Sequence, residues 1–388
     1  MKKNAIIIAG VILGLITLYF LKTSLFNKKT NTISPIKLKV EKTAYSFILL
    51  GYGGGIHEGT YLTDTMMVVH VDIKTKKATL ISIPRDLWVK LPTKSGAEFH
   101  QKINSVYQLS LFPKTYPDAN TNNKLIANVI SNITGLGVDG YISVNFEGFT
   151  KVIDILGGID VNVERSFTDQ EYPIEGKEKD LCDKDIEELF KKSEPFLTPG
   201  FNPEQRNQQF KNDPKLEEFV KNATDSPELA FPCRYEKLEF QQGIDHMDGT
   251  TALKYARSRH SETDGGDFNR ARRQQQVIEA IKNKVLSIGF VTKIIPLINE
   301  YKKDVKIDID QDIIKKFIGQ ASKAKEYKIT TFVLTTSNGL KEAVSADGQY
   351  ILIPNEGMDN WKGIQRMINN TIMEITPTPT ASPTATLK

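Results

Sequence analysis

The sequence predicts an α/β fold, an α-β-α layered domain with a central mixed sheet that follows one N-terminal transmembrane helix. Two patterns predict the sheet. Residues 64–72 and 78–86 are apolar-rich segments on either side of a short lysine-rich turn, which is typical of an antiparallel hairpin. Residues 140–163 follow the order strand, helix, strand, which is typical of a β-α-β unit with parallel strands. A sheet that holds both kinds of pairing is mixed.

An uncharged apolar stretch, residues 5–21, predicts the transmembrane anchor. At about 1.5 Å per residue it is slightly short for a hydrocarbon core of ~30 Å, and flanking lysines can sit at the interface. No small-residue cleavage site follows it, which favours an uncleaved anchor over a removed signal peptide. Residues 22–44 would then be a polar, basic stalk. Lysines on both sides of the anchor leave its orientation open.

The first predicted strand, residues 45–50, runs into a glycine-rich segment, residues 51–59. A turn of this composition after a strand can cradle phosphate with its backbone amides. On its own the pattern is weak, because a flexible loop is its commoner outcome.

In the hairpin that follows, pairing of Val71 with Ala78 places Asp64 beside Arg85 at the open end. From the residues alone, this pair is either a plain cross-strand salt bridge or part of a site. Lys102, further along the chain, precedes a predicted helix and is interpreted from the residues alone as a solvated lysine.

Capping and helix-ending residues predict the bounds of the β-α-β unit. Residues 141–144 form the first strand, Asn145 caps the helix, and a glycine pair at 157–158 ends it before the strand at 159–163. The side chains that this helix is predicted to bury are Phe149, Val152, Ile153 and Leu156.

Residues 166–240 are acidic, lysine-rich and interrupted by prolines, and they predict an insertion with one or two short helices. The insertion holds both cysteines, Cys182 and Cys233. A disulfide between them would close a loop of about fifty residues and contribute roughly 4 kcal/mol in the chain-entropy model. Two buried free thiols are the alternative.

Residues 243–276 concentrate arginines around two predicted helices. Asp248 caps the first, which reaches Tyr255, and Asp267 caps the second, from Phe268 to about Leu286. The apolar stripe of the second helix shares its sector with three residues near its start and has Arg273 at its edge. The stripe is Ala271, Ile278, Ile281, Val285 and Ile288, and the three residues in its sector are Arg270, Gln274 and Val277.

If the chain straightens after the first of these helices, Arg257 and Arg259 lie two apart on one side of an extended segment. Guanidinium forks match phosphate oxygens bidentately, and a helix N-terminus attracts anions, so the arginines predict an anion site. The alternative is a solvated patch paired with nearby acids, namely Glu262, Asp264 and Asp267.

The remaining sequence completes the domain. Helical patterns occur at 294–301 and 313–324, a strand pattern at 328–334 and a last helix at 361–373. The Thr/Pro tail, residues 374–388, is predicted to be disordered. A formal net charge of +4 is too slight to imply nucleic acid, and no zinc spacing, P-loop or dinucleotide fingerprint is present.

Four sets of residues carry a family resemblance. In chain order they are DTMM with SIPRD (64–67, 82–86), KINSVY (102–107), GYISVNFEGFTKVIDILGGIDVNV (140–163), and GIDHMDGTTALKYARSR with GDFNRARRQQ (243–259, 266–275). Together they resemble the LytR-CpsA-Psr family of membrane-anchored bacterial enzymes, which transfer phosphate-linked glycopolymers from a polyprenyl carrier to peptidoglycan. The resemblance covers residues 45–373 without the insertion.

The resemblance implies a single-pass cell-membrane protein whose catalytic domain, residues 45–373, is extracellular, so that residues 1–4 are its cytoplasmic end. It implies a polyprenyl-pyrophosphate-linked glycan as substrate, teichoic-acid-like or capsule-like, and peptidoglycan as acceptor, with no nucleic acid partner. By the same resemblance the catalytic residues are Asp64, Arg85, Arg257 and Arg259. The substrate-binding residues are Arg85, Lys102, Arg257, Arg259, Arg270, Arg273 and Gln274.

The resemblance also implies a Mg²⁺ ion held by Asp64. Family members commonly place a second aspartate shortly after the first strand and an arginine just before the D-T pair, where this chain has Gly53 and Leu62. Glu58 is the better candidate for the second ligand than His57, because magnesium prefers oxygen. Two other function classes stay open: a pyrophosphate hydrolase that uses the same site, and a non-catalytic polyprenyl-phosphate binding or regulatory protein.

Overall fold

The computed structural model describes residues 42–55, 59–112, 124–197, 203–287, 303–320, 323 and 326–374. The chain divides into two compact units. The first, here called the sheet unit, comprises residues 1–161, 246–253 and 271–388. The second, the insertion unit, comprises residues 162–245 and 254–270.

The strands and α-helices of the described residues are numbered here in chain order. The strands are β1 Ala44–Tyr52, β2 Thr63–Asp72, β3 Lys77–Ser82, β4 Trp88–Lys90, β5 His100–Lys102, β6 Val138–Asn145, β7 Ile159–Val163, β8 Phe167–Pro173, β9 Tyr235–Phe240, β10 Gly243–Met247, β11 Val305–Ile309, β12 Lys328–Val333, β13 Leu340–Val344 and β14 Tyr350–Pro354. The α-helices are α1 Val106–Leu111, α2 Leu125–Thr134, α3 Phe146–Ile155, α4 Lys184–Ser193, α5 Pro203–Asn212, α6 Pro214–Asp225, α7 Pro227–Ala230, α8 Gly249–Arg257, α9 Gly266–Ser287, α10 Gln311–Gly319 and α11 Lys362–Met373.

The sheet unit is built on a six-stranded sheet in the order β11-β6-β1-β2-β3-β12. The β1–β6 and β3–β12 pairs are parallel and the other three are antiparallel, so the predicted central mixed sheet is confirmed. Phe47 and Ile48 on β1, and Val68 and Val69 on β2, are all fully buried. Because successive strand residues point to opposite faces, both faces of the sheet are covered, in keeping with the predicted layering.

The β2–β3 hairpin has the predicted register. Val71 pairs with Ala78, and the ladder runs on to Met67 opposite Ser82. A shift of one residue would exchange the side chains of the two covered faces and disturb the packing on both, which holds the register.

The prediction of a β-α-β unit at residues 140–163 is only partly right. Asn145 caps α3, where its Oδ1 accepts a hydrogen bond from the Gly148 amide at 2.7 Å, and the glycine pair ends the helix with φ values of 71° and 78°. However, β7 lies in a separate two-stranded sheet with β10. The reason is that β6 is already flanked by β1 and β11, so neither of its edges is open.

The predicted inward face of α3 is also corrected. Ile153 and Leu156 are buried, whereas Phe149 and Val152 are only half-buried.

The C-terminal part of the sheet unit is close to its prediction. The expected helix at 313–324 is α10, the expected strand at 328–334 is β12, and the last helix is α11. The β13–β14 hairpin was not predicted, although an Asp-Gly dipeptide at 347–348, with Gly348 at φ 83°, is a common hairpin signal.

Several predictions fall outside the described residues: the anchor at 5–21, most of the stalk, the helix at 294–301 and the tail from 375 onward. Among the helices of the described residues, none combines the length and apolarity needed to cross a membrane.

The insertion unit has its own small core and more helices than predicted. Four α-helices, α4 to α7, lie between the paired strands β8 and β9. Three of these helices begin at a proline, at Pro203, Pro214 and Pro227. The sequence predicts only one or two short helices in this proline-interrupted stretch, but proline is well tolerated at the first helical position because the amide it lacks would be unpaired there. The core is centred on Phe219, Ala230 and Phe231.

A disulfide closes the insertion unit, and the alternative of two free thiols is wrong. Cys182 and Cys233 are bonded, with their Cα atoms 5.4 Å apart and 51 positions apart in sequence. In the chain-entropy model a closed loop of this length stabilises the fold by roughly 4 kcal/mol. Cys182 also packs against the small core, so the crosslink and the apolar cluster support the same helices.

Candidate active site

In the sheet unit, the open end of the hairpin brings Asp64 and Arg85 together, as the register predicts. Arg85 Nη1 donates a hydrogen bond to Asp64 Oδ1 at 2.8 Å. The pair continues into a second carboxylate, because Arg85 Nε lies 3.4 Å from Asp86 Oδ2. Asp64 is at the start of β2 and Arg85 follows β3, so the sheet itself fixes both side chains.

Lys102 joins the same network, and its interpretation as a solvated lysine is wrong. Its Nζ donates to Asp86 Oδ1 at 2.7 Å, and the Lys102 side chain is only 22% exposed. Asp86 thus lies between a guanidinium and an ammonium. Sequence reasoning missed Asp86, although it directly follows Arg85 in the SIPRD segment. Two cations held on one carboxylate are preorganised to meet an anion without a large change in rotamer.

The fit of a magnesium ion depends on Asp64. Its side chain is 41% exposed, and a carboxylate offers about four lone-pair sites. A Mg²⁺ ion that keeps most of its waters needs only one or two carboxylates, so the site fits such an ion. Glu58 and His57 lie outside the described residues.

Helix α9 begins at Gly266, two residues before the predicted start, so Asp267 lies in the first turn instead of acting as the N-cap. The predicted inward face is confirmed at Arg270, Val277 and Ile281, which are buried. It differs at Ala271 and Ile278, which are half-buried, and at Arg273, which was predicted at the edge of the sector and is 1% exposed, the largest fully buried side chain of the described residues. Gln274 is half-buried.

Two hydrogen bonds explain part of this difference. The side-chain amide of Gln275 donates through Nε2 to Ser82 Oγ at 2.9 Å and to the Phe332 carbonyl at 3.3 Å, which ties α9 to β3 and β12. A stripe drawn from apolar residues alone cannot include this buried glutamine. A guanidinium as buried as that of Arg273 must be hydrogen-bonded, because burial of an unpaired charge costs far more than one side chain can recover.

Asp248 caps α8 as predicted, by accepting from the Thr251 amide at 2.7 Å. Arg257, the last residue of this helix, belongs to the insertion unit. The guanidinium carbon of Arg257 lies 5.6 Å from the centroid of the Tyr172 ring, within the range of a cation–π contact. Burial of the Tyr172 hydroxyl raises its pKa, and Arg257 opposes that shift.

Arg259 and Arg270 share one carboxylate in the insertion unit. Asp267 Oδ1 lies 3.7 Å from Arg259 Nη1 and 3.2 Å from Arg270 Nη1. This contact was part of the solvated-patch alternative, yet Arg270 is only 7% exposed, which a solvated patch does not explain. Two guanidinium groups brought to one carboxylate oxygen form a place that suits an anion.

Two further residues of the insertion unit were missed from the sequence. Asp169 is fully buried and receives hydrogen bonds from the arginine segment. Glu171 Oε2 lies 3.0 Å from His260 Nδ1, and burial raises the pKa of Glu171. Asp169 and Glu171 lie on β8, inside the predicted variable insertion, so no local sequence signal connected them to Arg257 or Arg259.

Comparison with known proteins gives a consistent result. The profile of the LytR_cpsA_psr family matches residues 18–365. Biofilm regulatory protein A of Streptococcus mutans is 24% identical over 347 residues, which cover 84% of this chain and 68% of that protein. The polyisoprenyl-teichoic acid–peptidoglycan teichoic acid transferase TagU of Oceanobacillus iheyensis is 25% identical over 321 residues, covering 82% of this chain and 75% of that one.

Among solved structures, protein gbs0355 from Streptococcus agalactiae has a TM-score of 0.54 at 17% identity and covers 87% of this chain and 90% of its own. At this identity the likeness shows the fold alone. The family profile spans most of the 388 residues and includes all four resembling motifs. This protein therefore belongs to the LytR-CpsA-Psr family.

Proposed function

We propose that this protein transfers a phosphate-linked glycopolymer, teichoic-acid-like or capsule-like, from a polyprenyl-pyrophosphate carrier to peptidoglycan. The observation that carries the proposal is the family match together with the arginines that it contains, two of them buried at Arg270 and Arg273. A relative of similar sequence bears the name of a teichoic acid transferase.

The reaction is a phosphoryl transfer. A hydroxyl of the acceptor attacks the phosphorus that carries the glycan, a new P–O bond forms, and the bond to the bridging oxygen of the pyrophosphate breaks. The leaving polyprenyl phosphate takes the electron pair of that bond, and the hydroxyl proton passes to a base. Charge therefore grows on the phosphoryl and leaving oxygens, and fixed cations lower the barrier by meeting it.

The proposed roles follow the two units. In the sheet unit, Asp64 and Arg85 are catalytic, with Asp64 also a candidate base, and Lys102, Arg273 and Gln274 bind substrate. In the insertion unit, Arg257 and Arg259 are catalytic and Arg270 binds substrate. Support comes from the close Asp64–Arg85 and Arg259–Asp267–Arg270 contacts, which hold the guanidinium groups in place before substrate arrives.

Direct transfer tests the proposal. Purified full-length protein in detergent, given a labelled lipid-linked glycan and peptidoglycan, should move the label to peptidoglycan. Release of labelled glycan to water at an equal rate without peptidoglycan would instead indicate a hydrolase. Lipid binding with no turnover would indicate a binding or regulatory protein, which the name of the Streptococcus mutans relative keeps in view.

We propose Mg²⁺ as the cofactor, held by Asp64 and by Glu58; it would supply positive charge to the phosphate oxygens. Asp64→Asn should abolish the stimulation of transfer by Mg²⁺, because an amide oxygen is a much weaker ligand than a carboxylate. Glu58→Gln should weaken it, and a titration of Mn²⁺ binding by electron paramagnetic resonance gives a second readout. If Glu58→Gln leaves the metal response and Mn²⁺ affinity unchanged, Glu58 has no part in the metal site.

We also propose that residues 5–21 anchor the protein in the cell membrane with the catalytic domain outside. The support is the single apolar stretch and the outward-facing substrate of the proposed reaction. Protease added to intact protoplasts should digest the domain and leave the anchor. Full protection of the domain would reverse the proposed orientation.

A further inference from the structure

Strand β8 of the insertion unit contains a β-bulge between Asp169 and Tyr172. Asp169 pairs with Leu238, whereas Tyr172 pairs with Glu236, so three steps along β8 match two steps along β9. The extra residue disrupts the ladder locally and changes the direction of the neighbouring side chains, which is a common use of bulges beside functional sites.

The carboxylate of Asp169 is fully buried beside this bulge. Its Oδ2 accepts hydrogen bonds from Ser258 Oγ at 2.6 Å, the Arg259 amide at 3.0 Å and the His260 amide at 3.2 Å. Its Oδ1 accepts from the Glu171 amide at 3.0 Å. An ionised carboxylate is costly to bury unless such donors replace its water, so this geometry is specific.

The other two contacts of the bulged stretch reach the same segment. Glu171 Oε2 lies 3.0 Å from His260 Nδ1, and the Tyr172 ring faces the Arg257 guanidinium at 5.6 Å. Residues 169, 171 and 172 therefore hold every one of residues 257–260, through side chains, amides or both. The segment after α8 has no ladder of its own, so β8 supplies the order that secondary structure does not.

We propose that Asp169 is a positioning residue for the transfer reaction: through its hydrogen bonds to residues 258–260 it fixes Arg257 and Arg259 in the geometry that meets the pyrophosphate. The proposal rests on the proposed function. It assigns a role to the insertion, which provides the strand that orders the arginine segment.

The direction in which anion affinity changes when Asp169 loses its charge separates a positioning role from a purely electrostatic one. A carboxylate close to phosphate-binding arginines repels phosphate, so removal of its charge should tighten anion binding if charge alone matters. If geometry matters, removal of the same charge should weaken binding, because the backbone amides of Arg259 and His260 lose a charged acceptor and the segment loosens.

Asp169→Asn tests the proposal, because it keeps the size of the side chain while removing its charge and replacing one acceptor oxygen with a donor. We expect kcat/KM for glycan transfer to fall about 100-fold, the loss that a misplacement of about 1 Å can cause. Affinity for farnesyl pyrophosphate, a soluble probe, should weaken about tenfold. Amide hydrogen exchange of Arg259 and His260 should quicken about tenfold, since the one oxygen that asparagine retains is neutral and accepts more weakly, and its NH₂ group is left facing the Glu171 amide.

Two further variants keep the test decisive. Asp183→Ala, in the same unit, removes a helix cap that accepts from the amides of Asp185 and Ile186, so it controls for a general loss of stability and should leave probe binding unchanged. Ser258→Ala keeps the charge of Asp169 and removes one donor; it should shift probe affinity and amide exchange in the same direction by roughly threefold, and it replaces Asp169→Asn if that variant does not fold.

The outcomes for the two proposals are distinct. Wild-type protein that neither transfers glycan nor binds farnesyl pyrophosphate refutes the proposed function, while amide exchange still reports on positioning. Wild-type activity with unchanged or tighter probe binding in Asp169→Asn overturns the positioning role, and so does unchanged exchange at Arg259 and His260.

Discussion

Replacing both Arg259 and Arg270 with alanine should reduce glycan transfer about as much as replacing either one alone, by roughly 10²–10³-fold. The reason is that both guanidinium groups meet at Asp267, so they serve one place and one developing charge. Once one arginine is lost, the geometry that the other needs is also lost. Residues that act as a unit in a transition state show this lack of additivity.

Transfer assays on both single variants and the double variant give the coupling directly. Arg206→Ala is the matched control, an exposed arginine on α5 of the same unit, and it should stay within about twofold of wild type. Thermal unfolding by circular dichroism separates lost activity from lost structure. Losses that multiply in the double variant would mean that the two arginines act independently.

The second large effect is expected for Arg85→Lys, which should lower transfer about 100-fold or more although it keeps the positive charge. A lysine cannot reach Asp64 and Asp86 at once as the planar guanidinium does, with its Nη1 at 2.8 Å from one and its Nε at 3.4 Å from the other. Lys102, which depends on the same Asp86, would then lose part of its support.

A neighbouring lysine provides the control. Lys90 on β4 pairs with Glu98 at 3.2 Å, but the two side chains are 52% and 68% exposed, so Lys90→Ala should change transfer less than about twofold. Steady-state kinetics should show the Arg85→Lys loss mainly in kcat, since the contact matters most where charge develops. A pure rise in KM would assign Arg85 to ground-state binding.

The hairpin was predictable from sequence because its information is local. A short lysine-rich turn between two apolar-rich segments sets the register, and the register alone placed Asp64 beside Arg85. The partner of β7 was not predictable in this way, because strand order depends on which edges distant segments have already taken.

Part of the buried face of α9 and the residues of β8 were missed for another reason. Gln275 is polar and is buried with its side chain hydrogen-bonded to Ser82, so a stripe drawn from apolar residues leaves it out, and the same stripe puts the buried Arg273 only at its edge. Asp169 is far from the arginine segment in sequence and its four partners include three backbone amides, which carry no sequence signature.

The disulfide has a consequence for the design of shortened variants. Cys182 and Cys233 bring the two ends of a long excursion between β8 and β9 to a Cα separation of 5.4 Å. A tight turn spans less than about 7 Å between its outer Cα atoms, so a few residues are enough to replace helices α4 to α7. We therefore expect that the segment between the two cysteines can be exchanged or shortened. The chain before Cys182 cannot be replaced in the same way, because it carries Asp169, Glu171 and Tyr172.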